Sequence, residues 1–125
     1  MENNTDKRLL EAKRTKYVRL LERLLFNTIS YLNKSDEPNK KDFDSRVNNH
    51  KKRLEGFEDV TLYSSELSAL ETLVKQIIDF SNSQENIEEI KNKLLYEMNQ
   101  YEKSKRHRGY KKEKHKHAYK KEWDH

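Results

Sequence analysis

The residue types best suited to bind a ligand are concentrated at the C-terminal end of the chain. Residues 105–125 contain nine Lys/Arg and three acidic residues, a net charge of +6, whereas residues 1–104 carry −1. Lys and Arg neutralise phosphates and release counterions, and Tyr and Trp stack on unpaired bases. The pattern therefore favours binding of nucleic acid, either DNA or RNA. The candidate binding residues are Lys105, Arg106, Arg108, Tyr110, Lys111, Lys112, Lys114, Lys116, Tyr119, Lys120, Lys121 and Trp123.

Other partners for a basic segment stay open. An acidic protein surface or an anionic membrane would attract the same charges, and a charged terminus can also serve only to keep a chain in solution. If nucleic acid is the partner, we expect 105–125 to supply most of the affinity, with the rest of the chain positioning this segment.

Four histidines near the C-terminus raise the question of a metal site. His107, His115, His117 and His125 are close in sequence, and a zinc site needs three or four ligands in a tetrahedron. His115 and His117 are two residues apart, so on a helix they point in different directions. The neighbouring lysines would also repel a cation, and the chain has no cysteine. We therefore predict no metal and no cofactor.

Nothing in the sequence indicates catalysis. His50 lies on an apolar stripe between Val47 and Leu54, with no acid or nucleophile nominated beside it, so we interpret it as a histidine at the edge of the core. A glycine-rich phosphate loop and an HExxH motif are both missing. We predict that the protein is not an enzyme.

Hydrophobic periodicity predicts four helices in an all-α fold. The chain has two Gly and one Pro, which gives little support to strands and tight turns. The first helix is expected over 5–33, followed by a loop at 34–41. The second is expected after a cap at Asp42 or Asp44 and ends near Gly56. The third begins within 61–65, and the fourth follows a break at 81–83, which is expected to supply its cap.

The core is expected at the centres of the four apolar stripes. Leucine, isoleucine, valine and phenylalanine number 27, and all lie between Leu9 and Leu95, so a small bundle can form over 1–104 while 105–125 cannot bury a core. We therefore predict a bundle domain, 1–104, and a basic C-terminal extension, 105–125. The residues expected to be most buried are Leu21, Leu24, Leu54, Leu70, Val74, Ile77 and Leu94.

Charge is also unevenly distributed within the bundle. Residues 5–34 carry +5 and residues 55–102 carry −8. Either the first helix neutralises the acidic third and fourth helices, or its basic face is free and joins the C-terminal segment in one positive surface. A helix-turn-helix that reads DNA with the third helix is disfavoured, because Lys75 is its one base among Glu66, Glu71 and Asp79.

These patterns lead to two hypotheses of different classes. The first is a non-catalytic nucleic-acid-binding accessory protein, for example a subunit of a nucleoprotein complex. The second is a protein-interaction adaptor or inhibitor that uses its helix faces and charged segment. The polar N-terminus resembles no signal peptide, and no stretch is apolar enough to span a membrane, so we expect a cytoplasmic protein. The oligomeric state is left open.

Overall fold

The part of the chain that the structure describes forms four helices, which confirms the predicted all-α bundle. The computed structural model describes the backbone of residues 2–116 and the side chains of residues 7–105. This part of the chain contains α1 (Glu2–Lys34), α2 (Lys40–Arg53), α3 (Ser65–Ser81) and α4 (Ile87–Lys116), and no strand. The division into a bundle domain at 1–104 and an extension at 105–125 stays a prediction, because most of the extension's side chains lie outside those described.

Consecutive helices run in opposite directions. Near the start of α3, Arg14 donates a hydrogen bond to the Thr61 carbonyl and Lys105 of α4 lies 3.8 Å from Glu66. At the other end, Lys40 of α2 donates to the carbonyl of Ser81, the last residue of α3. Helices α1 and α3 therefore run one way and α2 and α4 the other, as short connections between long helices favour.

The core lies between the inward faces of all four helices. Six of the seven residues predicted to be most buried are at most 2% exposed, and Leu54 is the exception because it is only partly buried. Helix α2 ends at Arg53, so Leu54 lies in the turn that follows and packs against the core from its edge. The fully buried side chains include Leu21, Leu24, Leu25, Leu32, Phe43, Val47, Ile77, Ile90 and Leu94.

Helix α2 begins earlier than the sequence indicated. The predicted caps, Asp42 and Asp44, both lie inside the helix, and Asn39 caps it by accepting a hydrogen bond from the Asp42 backbone N–H at 2.8 Å. Asn is as good an N-cap as Asp, and the extra turn lets Lys40 pair with Asp44 at 2.8 Å. At the other end, Gly56 has a φ of +91°, a conformation that glycine adopts freely in the turn after a helix.

The caps of α3 and α4 fix the other two helix starts. Ser64 lies within the predicted range and accepts from the Leu67 backbone N–H at 3.0 Å. For α4 the cap is Asn86, which accepts from the Glu88 backbone N–H at 2.7 Å, and not a residue of 81–83 as predicted. Asn86 is the better-placed acceptor because it immediately precedes Ile87, the first residue of the helix.

Candidate nucleic-acid interface

Most of the positive charge of α1 is not neutralised within the bundle. Lys13 donates to the Asp59 carboxylate at 2.8 Å, and this bond lowers the pKa of that carboxyl. It is the one ion pair that α1 makes among the side chains of residues 7–105. Of the two arrangements considered from the sequence, the described residues therefore favour the one in which the basic face of α1 is free. That this face joins 105–125 in one positive surface stays a prediction, because the side chains of 106–125 lie outside those described.

The free face of α1 borders a groove that it forms with α2. One part of this α1–α2 groove is an open hollow of about 650 Å³. A second hollow of about 380 Å³ adjoins it, because Asn27 and Ser30 line both. The first is lined by Arg19, Glu22, Arg23, Phe26, Asn27, Ser30 and His50, and the second by Asn27, Ser30, Tyr31, Lys34, Ser35 and Arg46.

Helical spacing explains why these side chains meet. On α1, Arg19, Arg23 and Ser30 follow one another at intervals of four and seven residues, which place them on one face of a helix. On α2, Arg46, His50 and Arg53 recur at intervals of four and three. The opposite faces carry buried residues, so core packing holds both basic stripes outward and side by side.

The groove is strongly positive. Arg19, Arg23, Lys34 and Arg46 line the two hollows, and Arg53 is close enough to His50 to act on its titration. All five are exposed, and none forms an ion pair with a side chain of the described part of the chain. Glu22 is the one acid among the residues that line the two hollows. Adjacent unpaired cations repel one another, and an anion in the groove would relieve that repulsion.

His50 reports the positive potential of the groove. Partial burial lowers the pKa of His50 below its ordinary value of 6.5, and the nearby Arg53, Arg23 and Arg46 lower it further. Arg23 belongs to α1, and Arg46 and Arg53 belong to α2, so the basic stripes of both helices contribute to the potential at His50. His50 is partly buried, as predicted for a residue at the edge of the core. The sequence did not predict that three arginines surround it.

Arg46 is held in place by an aromatic ring of the facing helix. Its guanidinium carbon lies 4.5 Å from the centre of the Tyr31 ring, within the distance of a cation–π contact. The Tyr31 hydroxyl accepts a hydrogen bond from the Asn39 backbone N–H at 3.0 Å, which ties the same ring to the start of α2.

A separate, more apolar hollow of about 340 Å³ lies between α1, the turn after α2, and α3. Inside it, the Tyr17 hydroxyl donates to the Glu71 carboxylate at 2.6 Å, and the Tyr17 ring stacks on Phe57 with centres 5.8 Å apart. Burial raises the pKa of the Tyr17 phenol, and the bond to Glu71 raises it further. The hydrogen bond from Tyr17 to Glu71 joins α1 to α3.

Of the candidate residues predicted from the sequence, the structure describes the side chain of Lys105 alone. Its Nζ lies 3.8 Å from a Glu66 carboxylate oxygen, so part of its charge is neutralised by α3. The other eleven residues, from Arg106 to Trp123, lie outside the described side chains, as do His107, His115, His117 and His125. Their predicted roles stay predictions.

The α1–α2 groove was not predicted from the sequence, although part of its signal, the basic stripe of α2, is visible there. Helix α2 holds six Lys/Arg and two Asp, so it is more basic for its length than α1. The apolar stripe that predicts α2 includes the buried Val47, whereas Arg46 and Arg53 belong to the exposed basic stripe of the same helix. Cations at intervals of three and four residues indicate a basic stripe on each helix, and the packing of the core decides that the two stripes meet.

Comparison of the chain with protein-family models, with curated protein sequences and with solved structures finds no match. In the described part of the chain, no helix is both long and apolar enough to cross a membrane. The same residues contain no group of three His, Cys, Asp or Glu placed to hold a metal ion.

Proposed function

We propose that this chain is a non-catalytic nucleic-acid-binding accessory protein that contacts phosphates through the α1–α2 groove and the basic segment 105–125. The observation that carries the proposal is a set of five exposed cations without an ion pair in the described part of the chain. Arg19, Arg23, Lys34 and Arg46 line the groove, and Arg53 acts on His50 within it. Such a set attracts a chain of negative charges, and a nucleic acid backbone supplies these at regular intervals.

The composition of the groove supports phosphate as the ligand. Four of its five cations are arginines, and the guanidinium group forms paired hydrogen bonds with phosphate oxygens. Asn27 and Ser30 lie between the cations and add hydrogen-bonding groups without charge.

The test is a salt titration of binding to generic oligonucleotides. With single-stranded and duplex oligomers of mixed sequence, we expect log Kd to rise linearly with log salt. Each phosphate neutralised contributes about 0.7 to the slope for single strands and about 0.9 for B-DNA. Tight binding with little salt dependence, or no binding at low salt, would contradict a phosphate-binding function.

The protein-interaction adaptor is kept as a second candidate because one observation favours it. Leu9 and Leu10 of α1 are 63% and 57% exposed, beside each other on a helix that otherwise buries its leucines. An adaptor that docks through these residues predicts no binding to DNA or RNA at any salt concentration. The titration above therefore separates the two candidates.

A further inference from the structure

Phe26 differs from the other groove residues because it is a large apolar side chain left half exposed among cations. It is 50% exposed and lines the same hollow as Arg19, Arg23 and His50. The two residues that precede it, Leu24 and Leu25, are fully buried, so the core is filled without it. An aromatic ring framed by arginines offers a stacking surface beside phosphate-binding groups.

We propose, resting on the function proposed above, that the α1–α2 groove binds a single strand of RNA or DNA with one unpaired base stacked on Phe26. Arg19 and Arg23 hold phosphates along α1, and Arg46 and Arg53 hold the strand from α2. Asn27 and Ser30 lie next to Phe26 on α1, where they can hydrogen-bond the edge of the stacked base or its sugar.

Stacking distinguishes a single strand from a duplex. In a duplex both faces of each base are covered by neighbouring base pairs, so an exposed ring of the protein gains no contact with them. In a single strand every base has a free face, and stacking on an aromatic side chain is tolerant of base identity. A duplex would engage the cations of the groove alone.

The length of the groove suits a short single strand. From Arg19 to Lys34, α1 advances by about 22 Å at 1.5 Å per residue. With one phosphate for every 3.4 Å of a stacked strand, about six nucleotides fit along this distance. Five cations and one aromatic ring over that distance suit a strand that is bound mainly through its phosphates, with a single base stacked on the ring.

The experiment measures binding of the full-length chain to four probes: oligo(U), oligo(dT), and RNA and DNA duplexes of the same length. Phe26→Ala is expected to weaken binding of both single strands roughly 5- to 100-fold, the range for one stacked base. Binding of the duplexes is expected to change less than about twofold. The control is Tyr96→Ala, which removes an aromatic ring that is 61% exposed on α4, outside the groove. This variant is expected to leave the affinities for single strands and for duplexes unchanged.

The outcomes of this experiment distinguish a failure of the stacking proposal from a failure of the proposed nucleic-acid binding. If Phe26→Ala leaves single-strand affinity unchanged while Arg23→Gln lowers it, the stacking proposal is wrong and phosphate binding stands. If the unsubstituted chain binds none of the four probes, the proposed function itself fails.

Photochemical cross-linking provides a second measurement. Because it identifies the residue in contact with a base, it distinguishes Phe26 from Tyr110, Tyr119 and Trp123 of the basic segment. Oligonucleotides that carry 5-iodouracil are cross-linked to the full chain and the modified residues are mapped by mass spectrometry. We expect cross-links at Phe26, lost in competition with unlabelled oligo(U). Cross-links confined to residues 105–125 would overturn the proposal.

Discussion

The guanidinium carbon of Arg46 lies 4.5 Å from the centre of the Tyr31 ring, so a cation of α2 rests on an aromatic side chain of α1. This contact lies at one end of the α1–α2 groove. It orients Arg46 without neutralising its charge, because an aromatic ring attracts a cation through its quadrupole and carries no net charge. The protein thereby positions a cation while keeping it available to an anion.

Removal of the Tyr31 ring should therefore loosen both the bundle and the groove. Tyr31→Leu is expected to lower the free energy of unfolding in urea by about 1–2 kcal/mol, through loss of the cation–π contact and of the bond from Asn39. Tyr31→Phe keeps the ring and should lose about 1 kcal/mol or less. Equal losses for the two variants would mean that the ring contributes nothing beyond its hydroxyl.

The titration of His50 should respond to a bound phosphate. In the free protein the pKa of His50 is below 6.5, because of partial burial and the nearby Arg53, Arg23 and Arg46. The neutral form is thus favoured by folding, and this contribution to stability is present above pH 6.5 and is lost as pH falls through the lowered pKa. A phosphate between these arginines would offset their positive potential and raise the pKa.

By linkage, binding in the groove should then strengthen as pH falls from 7 towards 5. Residue-resolved NMR of the His50 ring measures its pKa with and without a single-stranded oligonucleotide, and it separates His50 from the histidines of 105–125. A pKa that is the same in both states would place the bound phosphates away from the groove. His50→Gln is the matched variant. It should lack the part of the pH dependence of binding that arises from the titration of His50.

Neutralising the acid of the groove should improve binding. Glu22 lies between Arg19 and Arg23 in sequence and lines the same hollow. Because a carboxylate repels phosphates, Glu22→Gln is expected to raise affinity for single strands by roughly two- to threefold at low salt. Glu97→Gln, a change of equal charge on α4, is the control and should have a smaller effect. Weaker binding by the Glu22 variant would mean that this carboxylate orients the neighbouring arginines.

The assignment of the core is tested by substituting one buried leucine and one exposed leucine. Leu70 is 2% exposed and Leu10 is 57% exposed. Leu70→Ala is expected to lower the free energy of unfolding by about 2–5 kcal/mol, whereas Leu10→Ala should cost well under 1 kcal/mol. Chemical denaturation of both variants measures this difference. A loss under about 0.5 kcal/mol for Leu70→Ala would show that α3 does not pack against the core.

The positions of the four helices could be predicted from the sequence because each has a regular apolar stripe that must be buried. Helix ends were less well predicted, since Asn39 and Asp42 are both good caps and only tertiary contacts decide between them. The hydrogen bond from Lys40 to the Ser81 carbonyl at the end of α3 favours the earlier start. Leu54 has the right spacing for the core, but its helix ends one residue before it.

The candidate site could be predicted only in part. A concentration of charge in one segment, as at 105–125, is visible in the sequence without any structure. A groove between two helices depends on which faces meet, and this is set by packing of the core. Arg23 and Arg46 are 23 residues apart in sequence, and nothing local to either residue indicates that both approach His50.

Removal of residues 105–125 tests how the two basic surfaces share the binding. The truncated chain is expected to lose most of its affinity, because the segment carries +6. Its thermal midpoint should change little, because the segment contains no Leu, Ile, Val or Phe and Lys105 contributes one partly exposed ion pair. If the truncated chain binds as tightly as the full chain, the groove is the principal site and the prediction for 105–125 is wrong.

A charge-matched comparison within the bundle tests the role of the groove most directly. Arg19→Gln/Arg23→Gln removes two unpaired cations from the groove, and Lys75→Gln/Lys93→Gln removes two cations that pair with acids on α3 and before α4. Both variants lower the net charge by two. In a salt titration with single strands, the groove variant should bind more weakly, with a log–log slope smaller by about 1.4, while the control keeps the original slope. Equal losses in the two variants would contradict a binding site in the α1–α2 groove.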